Sequence, residues 1–498
     1  MKIETLIKNI QTEAVTGQCQ NDVLGIDYDS RRIRQGYIFV AIQGQNLNGL
    51  SLIDDAIQRG AVAIVSDCNE KINLDICHIQ VNDTRRGIAE LACVFNNMPS
   101  EKLQMIGVTG TNGKTTISYM IRDILKVAGH VPGLLSTIEY EIGARVIPAA
   151  RTTPEAPELQ SMLAQMVDNG CKSAVMEVSS HALVQKRTKG IDYDVCVFTN
   201  LTRDHLDYHK TMDEYFEAKY QLFIEIGRRK RKIEESQGGK LKKSAAVINI
   251  DDPWGVRLSQ MREIQADIIT YGVHPQAMVR AENIKLTSIG SEFSIHTPWG
   301  DADIQSRLMG RFNISNTLAA AASCGALGIN LKLIAKALSC VISVPGRLEE
   351  VKIHKKFQVF VDYAHTDDAL EHVLETLREI TAGRLIVVFG CGGNRDRTKR
   401  PVMGNVAARL ADYSILTSDN PRKEKPSEII AEIRAGFDSA NNFEIVESRR
   451  EAISRALEIA KKGDIVLIAG KGHEIFQEFA NTIVPFDDRQ AVRELANS

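Results

Sequence analysis

The sequence predicts an α/β fold in three domains with largely parallel sheets. Short apolar runs of strand length alternate with amphipathic helical stretches almost throughout, the rhythm of strands joined by crossover helices. The chain has 498 residues, and at ~150 residues per domain that accommodates about three. Two breaks divide it. Met98-Pro99-Ser100 follows an apolar helix and precedes a new strand, and Val344-Pro345-Gly346 interrupts the pattern after a helical stretch. The expected domains are 1–98, 99–344 and 345–498.

Composition narrows the class. Hydrophobic residues make up 44%, enough for buried cores and too much for a disordered chain. Lysine and arginine number 61 against 63 acids, a net charge of −2, which argues against a protein that coats nucleic acid along its length. The polar N-terminus has no apolar core of a signal peptide, and no apolar run approaches the ~18 residues of a membrane span. Nine cysteines, an odd number without a C-x-x-C pair, lead us to expect reduced cytoplasmic thiols rather than a disulfide framework or zinc ribbon.

In chain order, residues 61–66 read as a strand of the first domain. The second domain opens with the strand-like run 104–109, then Gly110-Thr111-Asn112-Gly113-Lys114-Thr115-Thr116. A helix follows with Ile117, Met120, Ile121, Ile124 and Leu125 on one face, ended by Gly129. Strand, glycine loop and helix form a phosphate loop, whose amides and helix N-terminus direct positive partial charge at phosphates. Lys114 can reach the β/γ-phosphates and the Thr115 hydroxyl can ligate Mg²⁺. Val108 stands where the usual first glycine would be, so the loop reads G-x-x-G-K-T.

Two further strands, 174–177 and 195–199, end in dense polar runs, Glu177-Val-Ser179-Ser180-His181 and Asn200-Leu-Thr-Arg203-Asp204-His205-Leu-Asp207-Tyr208-His209. Such groups are costly to bury unless used, and strand C-termini are where open α/β sheets bind ligands. Glu177 and His205 are therefore metal-site candidates. Lys219 lies in a helical stretch, where spacing alone makes it a solvated surface lysine. The basic stretch 227–243 reads as a solvated loop, with a membrane-surface or nucleic-acid patch as the alternative.

The last third carries strands 385–390, 414–417 and 465–469, each ending in a polar glycine-containing or Asp-Asn-Pro loop. If these strands are parallel neighbours, the loops meet at one sheet edge. Arg395 and Arg422 would then bind carboxylates, and Asp419 and Glu474 an ammonium, the chemistry of an amino acid with more than one carboxylate. Ordinary α/β turns are the alternative for any single loop.

With these residues assembled, the chain resembles the Mur ligases. The resemblance rests on Gly110–Thr116, Thr152-Thr-Pro154, Glu177–His181, the run 199–209, Asn249-Ile-Asp-Asp252, Asn313-Ile-Ser-Asn316, Pro345-Gly-Arg347 and Asp362-Tyr-Ala-His365. It implies an N-terminal UDP-binding α/β domain, a central P-loop ATPase-like parallel-sheet domain and a C-terminal Rossmann-like domain. Ser30, Gln45, Asn46 and Leu47 would contact UDP, and Thr152, Thr153, Ser179, Gln185 and Arg187 the muramoyl-dipeptide. Asn316 and Arg347 join Gly110–Thr116 as ATP contacts. Lys219 falls where the family lysine is carbamylated, an anion able to share Mg²⁺ with Thr115, Glu177 and His205. Asp419-Asn420-Pro421-Arg422, with Arg395, Gly470 and Glu474, matches the pocket of members that add meso-diaminopimelate.

The implied reaction is ATP-dependent amide ligation through an acyl phosphate, joining meso-diaminopimelate to UDP-N-acetylmuramoyl-L-alanyl-D-glutamate in peptidoglycan synthesis. Lys114, Lys219, His205 and Glu177 would carry the chemistry. Alternatives are an L-lysine-adding member, a folylpolyglutamate synthetase, or a non-catalytic nucleotide switch. The expected partners are small molecules, with no nucleic acid and no membrane insertion, and a monomer is expected. Arg151 stands where the family commonly has asparagine, and Asp367 where it has proline.

Overall fold

Runs of Val, Ile and Leu between turn residues assemble into four sheets. The computed structural model describes residues 1–44, 48–67, 75–226, 244–287, 289–438 and 441–497. The stretch 227–243 therefore lies outside the described residues.

The first sheet orders Ala14–Thr16, Cys77–Gln80, Ala61–Ser66, Tyr37–Val40 and Gly25–Asp27, parallel except for its first pair. That antiparallel pair sets Thr16 opposite His78 and brings the following turn against Cys77. Cys19 and Cys77 form a disulfide across it, with Cα atoms 4.8 Å apart. The expectation that every thiol is reduced is corrected here. The sequence offers no cue, because 58 residues separate the two and only strand pairing joins them.

The second sheet has eleven strands. Its spine, Pro132–Leu135, Ser173–Glu177, Gln104–Thr109, Val195–Phe198, Ala245–Asn249 and Asp267–Gly272, is parallel. Its flanks are antiparallel hairpins, Glu139–Ile142 with Arg145–Pro148 on one side and Val279–Thr287, Gly290–Thr297 and Gly300–Ser306 on the other. The parallel expectation thus holds for the spine and is corrected at the edges. Short turns at Gly143 and near Gly290 and Gly300 reverse the chain where no crossover helix fits. Side chains alternate across the spine. Ile106 and Val108 pack with helices Lys114–Val127 and Arg311–Ala326, and Met105 packs with Ala156–Asp168 and Met212–Ile224.

The third sheet orders Glu349–Glu350, Gln358–Asp362, Ile465–Ala469, Leu385–Phe389, Tyr413–Leu416 and Phe443–Ile445, parallel after the first pair. The three strands expected to be neighbours are neighbours. A hairpin, Phe476–Phe479 with Thr482–Pro485, forms the fourth sheet. Among the described residues, no helix is long and apolar enough to cross a membrane.

Candidate active site

Gly110 and Gly113 take backbone angles of φ +143° and +88°, and a Cβ at Gly113 would lie 2.5 Å from Asn316 Oδ1. The phosphate loop therefore needs glycine where Asn316 packs on it. The Thr111 amide donates to Asn200 O and the Asn112 amide to Asn200 Oδ1, both at 2.9 Å, so the polar run after the neighbouring strand holds the loop open. Lys114 Nζ folds back onto Gly110 O at 3.0 Å and Thr111 O at 2.7 Å. From the third domain, Arg347 Nη2 donates to Thr115 Oγ1 at 3.0 Å while its guanidinium lies over the Tyr363 ring.

Two clefts meet at this loop. The larger, about 390 Å³, is lined by Asn112, Gly113, Thr116, Asn316, Arg347 and Asp368 among others. The smaller, about 190 Å³, brings together Lys114, Thr115, Glu177, Asp204, His205 and Lys219. All four residues proposed for catalysis and all four proposed for metal binding line that one space.

Lys219 departs most from the spacing argument. It is 1% exposed, on the inner side of helix Met212–Ile224, with Nζ donating to Gly110 O at 2.8 Å and lying 4.5 Å from the Tyr215 ring centre. Burial, and then Lys114, push its amine well below the ordinary lysine pKa. The sequence held the signal: Tyr215 and Phe223 stand four residues to either side, so Lys219 lies within an apolar stripe.

Glu177 is fully buried, its carboxylate accepting from Thr137 N at 2.8 Å and Thr137 Oγ1 at 3.0 Å. Asp204 Oδ2 lies 3.3 Å from His205 Nε2. Burial raises the Asp204 carboxyl, but His205, His365, Lys399 and Lys114 outweigh it and hold it below its ordinary value. Burial outweighs Asp204 at His205 and keeps that imidazole neutral at pH 7. Sequence reading missed Asp204, and also His181, whose ring packs edge-on 4.8 Å from that of His205. It missed His209, stacked on Tyr215 and hydrogen bonded to Ser180 Oγ at 2.9 Å. The polar density of the run was visible, but not which side chains turn inward.

Beside Glu177, Thr153 Oγ1 donates to Glu177 O at 2.9 Å and pairs with Ser179 Oγ at 3.3 Å. Thr137 Oγ1, whose one proton goes to Glu177, pairs with the Thr152 hydroxyl at 3.1 Å. Arg187 donates to Thr153 O at 3.1 Å and to Gln185 Oε1 at 2.6 Å, and pairs with Glu155 at 2.9 Å. Thr152, Thr153, Ser179, Gln185 and Arg187 thus form one patch, Thr152 joining it through Thr137 and Glu177. Arg151 pairs with the same Glu155 at 3.1 Å, so this departure from the family pattern adds a second cation to one acid. Ser30 is buried in the first domain, hydrogen bonded to the Asp55 carboxylate. Gln45, Asn46 and Leu47 lie outside the described residues.

In the third domain the three loops interlock. Gly393 N donates to Asn420 O at 2.9 Å, and a Cβ on Gly470 would lie 2.5 Å from Asp419 Oδ2. Asn420 Nδ2 and Lys471 Nζ both donate to Glu474 Oε2 at 2.8 Å. Of the two acids expected to receive an ammonium, Glu474 is thus already engaged. Asp419 Oδ2 is buried without a hydrogen-bond partner, its neighbouring cation Arg449 Nη1 at 3.9 Å. Pro421 is buried, and Arg422 pairs with Glu478 at 2.8 Å; Arg395 is exposed on the adjoining loop. Tyr363 lines the smaller cleft and packs at a tilt against His473, the residue before Glu474.

The second and third domains are tied across the larger cleft. Asn112 Nδ2 and Thr202 Oγ1 donate to Asp368 Oδ2 at 2.6 and 3.0 Å, and Arg203 pairs with Asp367 at 2.9 Å. Among the described residues, no three His, Cys, Asp or Glu side chains form a ready metal site.

Residues 22–102 match the model described as Mur ligase family, catalytic domain, 108–324 the Mur ligase middle domain, and 346–472 the Mur ligase, glutamate ligase domain. A UDP-N-acetylmuramoyl-L-alanyl-D-glutamate–2,6-diaminopimelate ligase of Caldanaerobacter subterraneus subsp. tengcongensis is 42% identical over 496 residues, covering 99% of each chain. That of Geobacillus kaustophilus is 44% identical over 494 residues, again covering 99% of each. A solved structure of a ligase of that name superposes with a TM-score of 0.69 at 32% identity, covering 100% of this chain and 99% of the other. MurF from Acinetobacter baumannii, at 18% identity and a TM-score of 0.67 over 94% of this chain and 95% of its own, shares the fold.

Proposed function

The chain belongs to the Mur ligase family and is a ligase of that kind, and we propose that it joins meso-diaminopimelate to UDP-N-acetylmuramoyl-L-alanyl-D-glutamate at the expense of ATP. The observation that carries this reading is the smaller cleft, where the phosphate loop, Glu177, His205 and Lys219 meet. Tyr363 on its lining packs against His473, two strand-end loops away from the buried Asp419 and its neighbour Arg422.

We assign UDP binding to residues 1–98, ATP and muramoyl-dipeptide binding to 99–344, and amino-acid binding to 345–498; the separate sheets of these stretches support the division. The dipeptide's γ-carboxylate attacks the ATP γ-phosphate, giving an acyl phosphate and ADP. The amine of diaminopimelate then attacks the acyl carbon, and phosphate leaves. Like charges meet in the first step, so Lys114 and Arg347 stabilise the charge that gathers on the transferring group. Asp419 accepts the incoming ammonium and Arg422 the distal carboxylate. Contacts of Asp367 and Asp368 with the phosphate-loop side exclude water that would hydrolyse the acyl phosphate.

Thr115, Glu177, neutral His205 and a carbamate on Lys219 supply hydroxyl, carboxylate and imidazole donors suited to Mg²⁺. When bound, Mg²⁺ would neutralise charge between the phosphate and the entering carboxylate. Carbamate formation needs a neutral amine, and burial together with the neighbouring Lys114 favours that form at Lys219. We place the enzyme in the cytoplasm with its nucleotide substrates.

The test is phosphate release from ATP with the UDP-muramoyl-dipeptide and meso-diaminopimelate, L-lysine, or a folate with glutamate as the acceptor pair. Turnover with the first pair is expected. Preference for lysine or the folate pair, or ATP binding without turnover, would replace this reading.

A further inference from the structure

Arg422 holds a left-handed backbone, φ +50°, at the end of the Asp419–Arg422 loop. A non-glycine residue keeps that conformation when its surroundings impose it. Here the hairpin Phe476–Phe479 with Thr482–Pro485 imposes it. Gln477 Nε2 donates to Asp419 O at 2.9 Å, Glu478 N to Asn420 Oδ1 at 3.0 Å, and Arg422 N to Glu478 O at 3.0 Å. Two consecutive residues of the hairpin thus fasten three of the loop's four positions.

Glu478 also reaches the guanidinium. Arg422 Nε donates to Glu478 Oε2 at 2.8 Å, and Nη1 donates to Gly393 O at 2.9 Å. A guanidinium has five N–H donors in a fixed plane. Those two bonds fix the plane; one Nη2 hydrogen lies alongside Nε–H on the Glu478 side, while the other, at the end of the guanidinium, points away from Glu478. Gly392 keeps this side clear, since a Cβ there would come within 3.0 Å of Arg422 Nη1.

We propose that Glu478 is a positioning residue that sets amino-acid specificity: it pins Arg422 through Nε, so that the Nη1–Nη2 edge is presented to the distal carboxylate of the incoming amino acid. Its negative charge has a second effect. Arg422 keeps a counter-ion when the ligand brings no distal carboxylate, so Glu478 softens the penalty against lysine. This inference rests on the diaminopimelate reading above and names a residue that controls its discrimination.

Orientation and charge separate by substitution. Glu478→Gln keeps an acceptor for Nε and loses the charge; Glu478→Ala loses both. With wild type using meso-diaminopimelate, Glu478→Ala should raise KM for that substrate about fivefold, the scale of one partly exposed ion pair, with kcat within about twofold. Glu478→Gln should leave KM unchanged or lower, and kcat/KM for L-lysine should fall in Glu478→Gln relative to diaminopimelate. The proposal is overturned if KM for diaminopimelate is the same in all three proteins, if Glu478→Gln behaves as Glu478→Ala, or if the loss appears in kcat alone. If wild type does not use meso-diaminopimelate, the functional reading itself fails, and that outcome is visible before any variant is compared.

Discussion

Lys114 and Lys219 converge on one oxygen: both side-chain amines donate to Gly110 O, at 3.0 and 2.8 Å. Two ammonium groups on one buried carbonyl repel each other, and burial penalises both charges. Burial lowers both amines; Glu177 and Asp204 oppose that at Lys114, whereas at Lys219 the neighbouring Lys114 adds to it and Asp204 alone opposes. Of the two, Lys219 is pushed further below the ordinary lysine pKa, which favours it for modification.

The first prediction follows. Lys219 should carry a carbamate, seen as a labelled carbonyl carbon after exposure to ¹³C-bicarbonate. Lys219→Ala should lose on the order of 10²-fold or more in kcat, with partial recovery in a short carboxylate such as acetate. A bare amine in fully active enzyme would end the idea.

Lys114→Ala should lose about 10²–10³ in kcat, since it removes a cation aimed at the transferring phosphoryl group. Steady-state turnover at saturating ATP measures this, and retention of more than half the activity would remove the phosphate loop from the mechanism.

Arg203 and Asp367 tie the second domain to the third, their side chains 39% and 17% exposed. Asp367 occupies the position where the family usually has proline, and the ion pair gives that departure a role. Reversing either charge should lower kcat/KM about fivefold, and reversing both should restore it. Additive losses would show that the two residues act independently.

Discrimination against lysine should be moderate. Arg422 is 22% exposed and already paired with Glu478, so a ligand lacking the distal carboxylate does not leave it alone. A preference of roughly 10- to 150-fold for meso-diaminopimelate corresponds to one charged hydrogen-bond contact of about 1.5–3 kcal/mol. Arg422→Ala should lose most of that preference without gaining lysine use, as kcat/KM for both amino acids will show.

Next to the Gly392 loop of the third domain, Arg400 is fully buried between Glu424 and Glu432. The Arg400 hydrogen bonds hold the Glu424 carboxyl down, from 4.5 to about 2. A carboxyl depressed on folding contributes stability above its unfolded pKa and loses it as pH falls through the folded one. Thermal stability should therefore fall as pH drops from about 4.5 to about 2 in wild type. Glu424→Gln should flatten that dependence, which a melting series against pH will measure.

What the sequence determined by itself was periodic or contiguous. The phosphate loop was legible because strand, glycines, lysine and helix follow one another, and the three loops of the last domain because each ends an apolar strand. The tertiary structure decided what depends on distant segments meeting. Lys219 looked solvated until its helix turned it toward Gly110, and Cys19 found Cys77 only through an antiparallel edge. Asp204 and His209 in one polar run and His181 in another were hidden, because the inward face of both runs depends on packing against the helix Met212–Ile224. Glu478 carried no local signal, because its role exists only where the hairpin meets the Asp419–Arg422 loop. Local periodicity fixes elements, while burial and charge pairing are properties of surfaces that the chain creates only by folding.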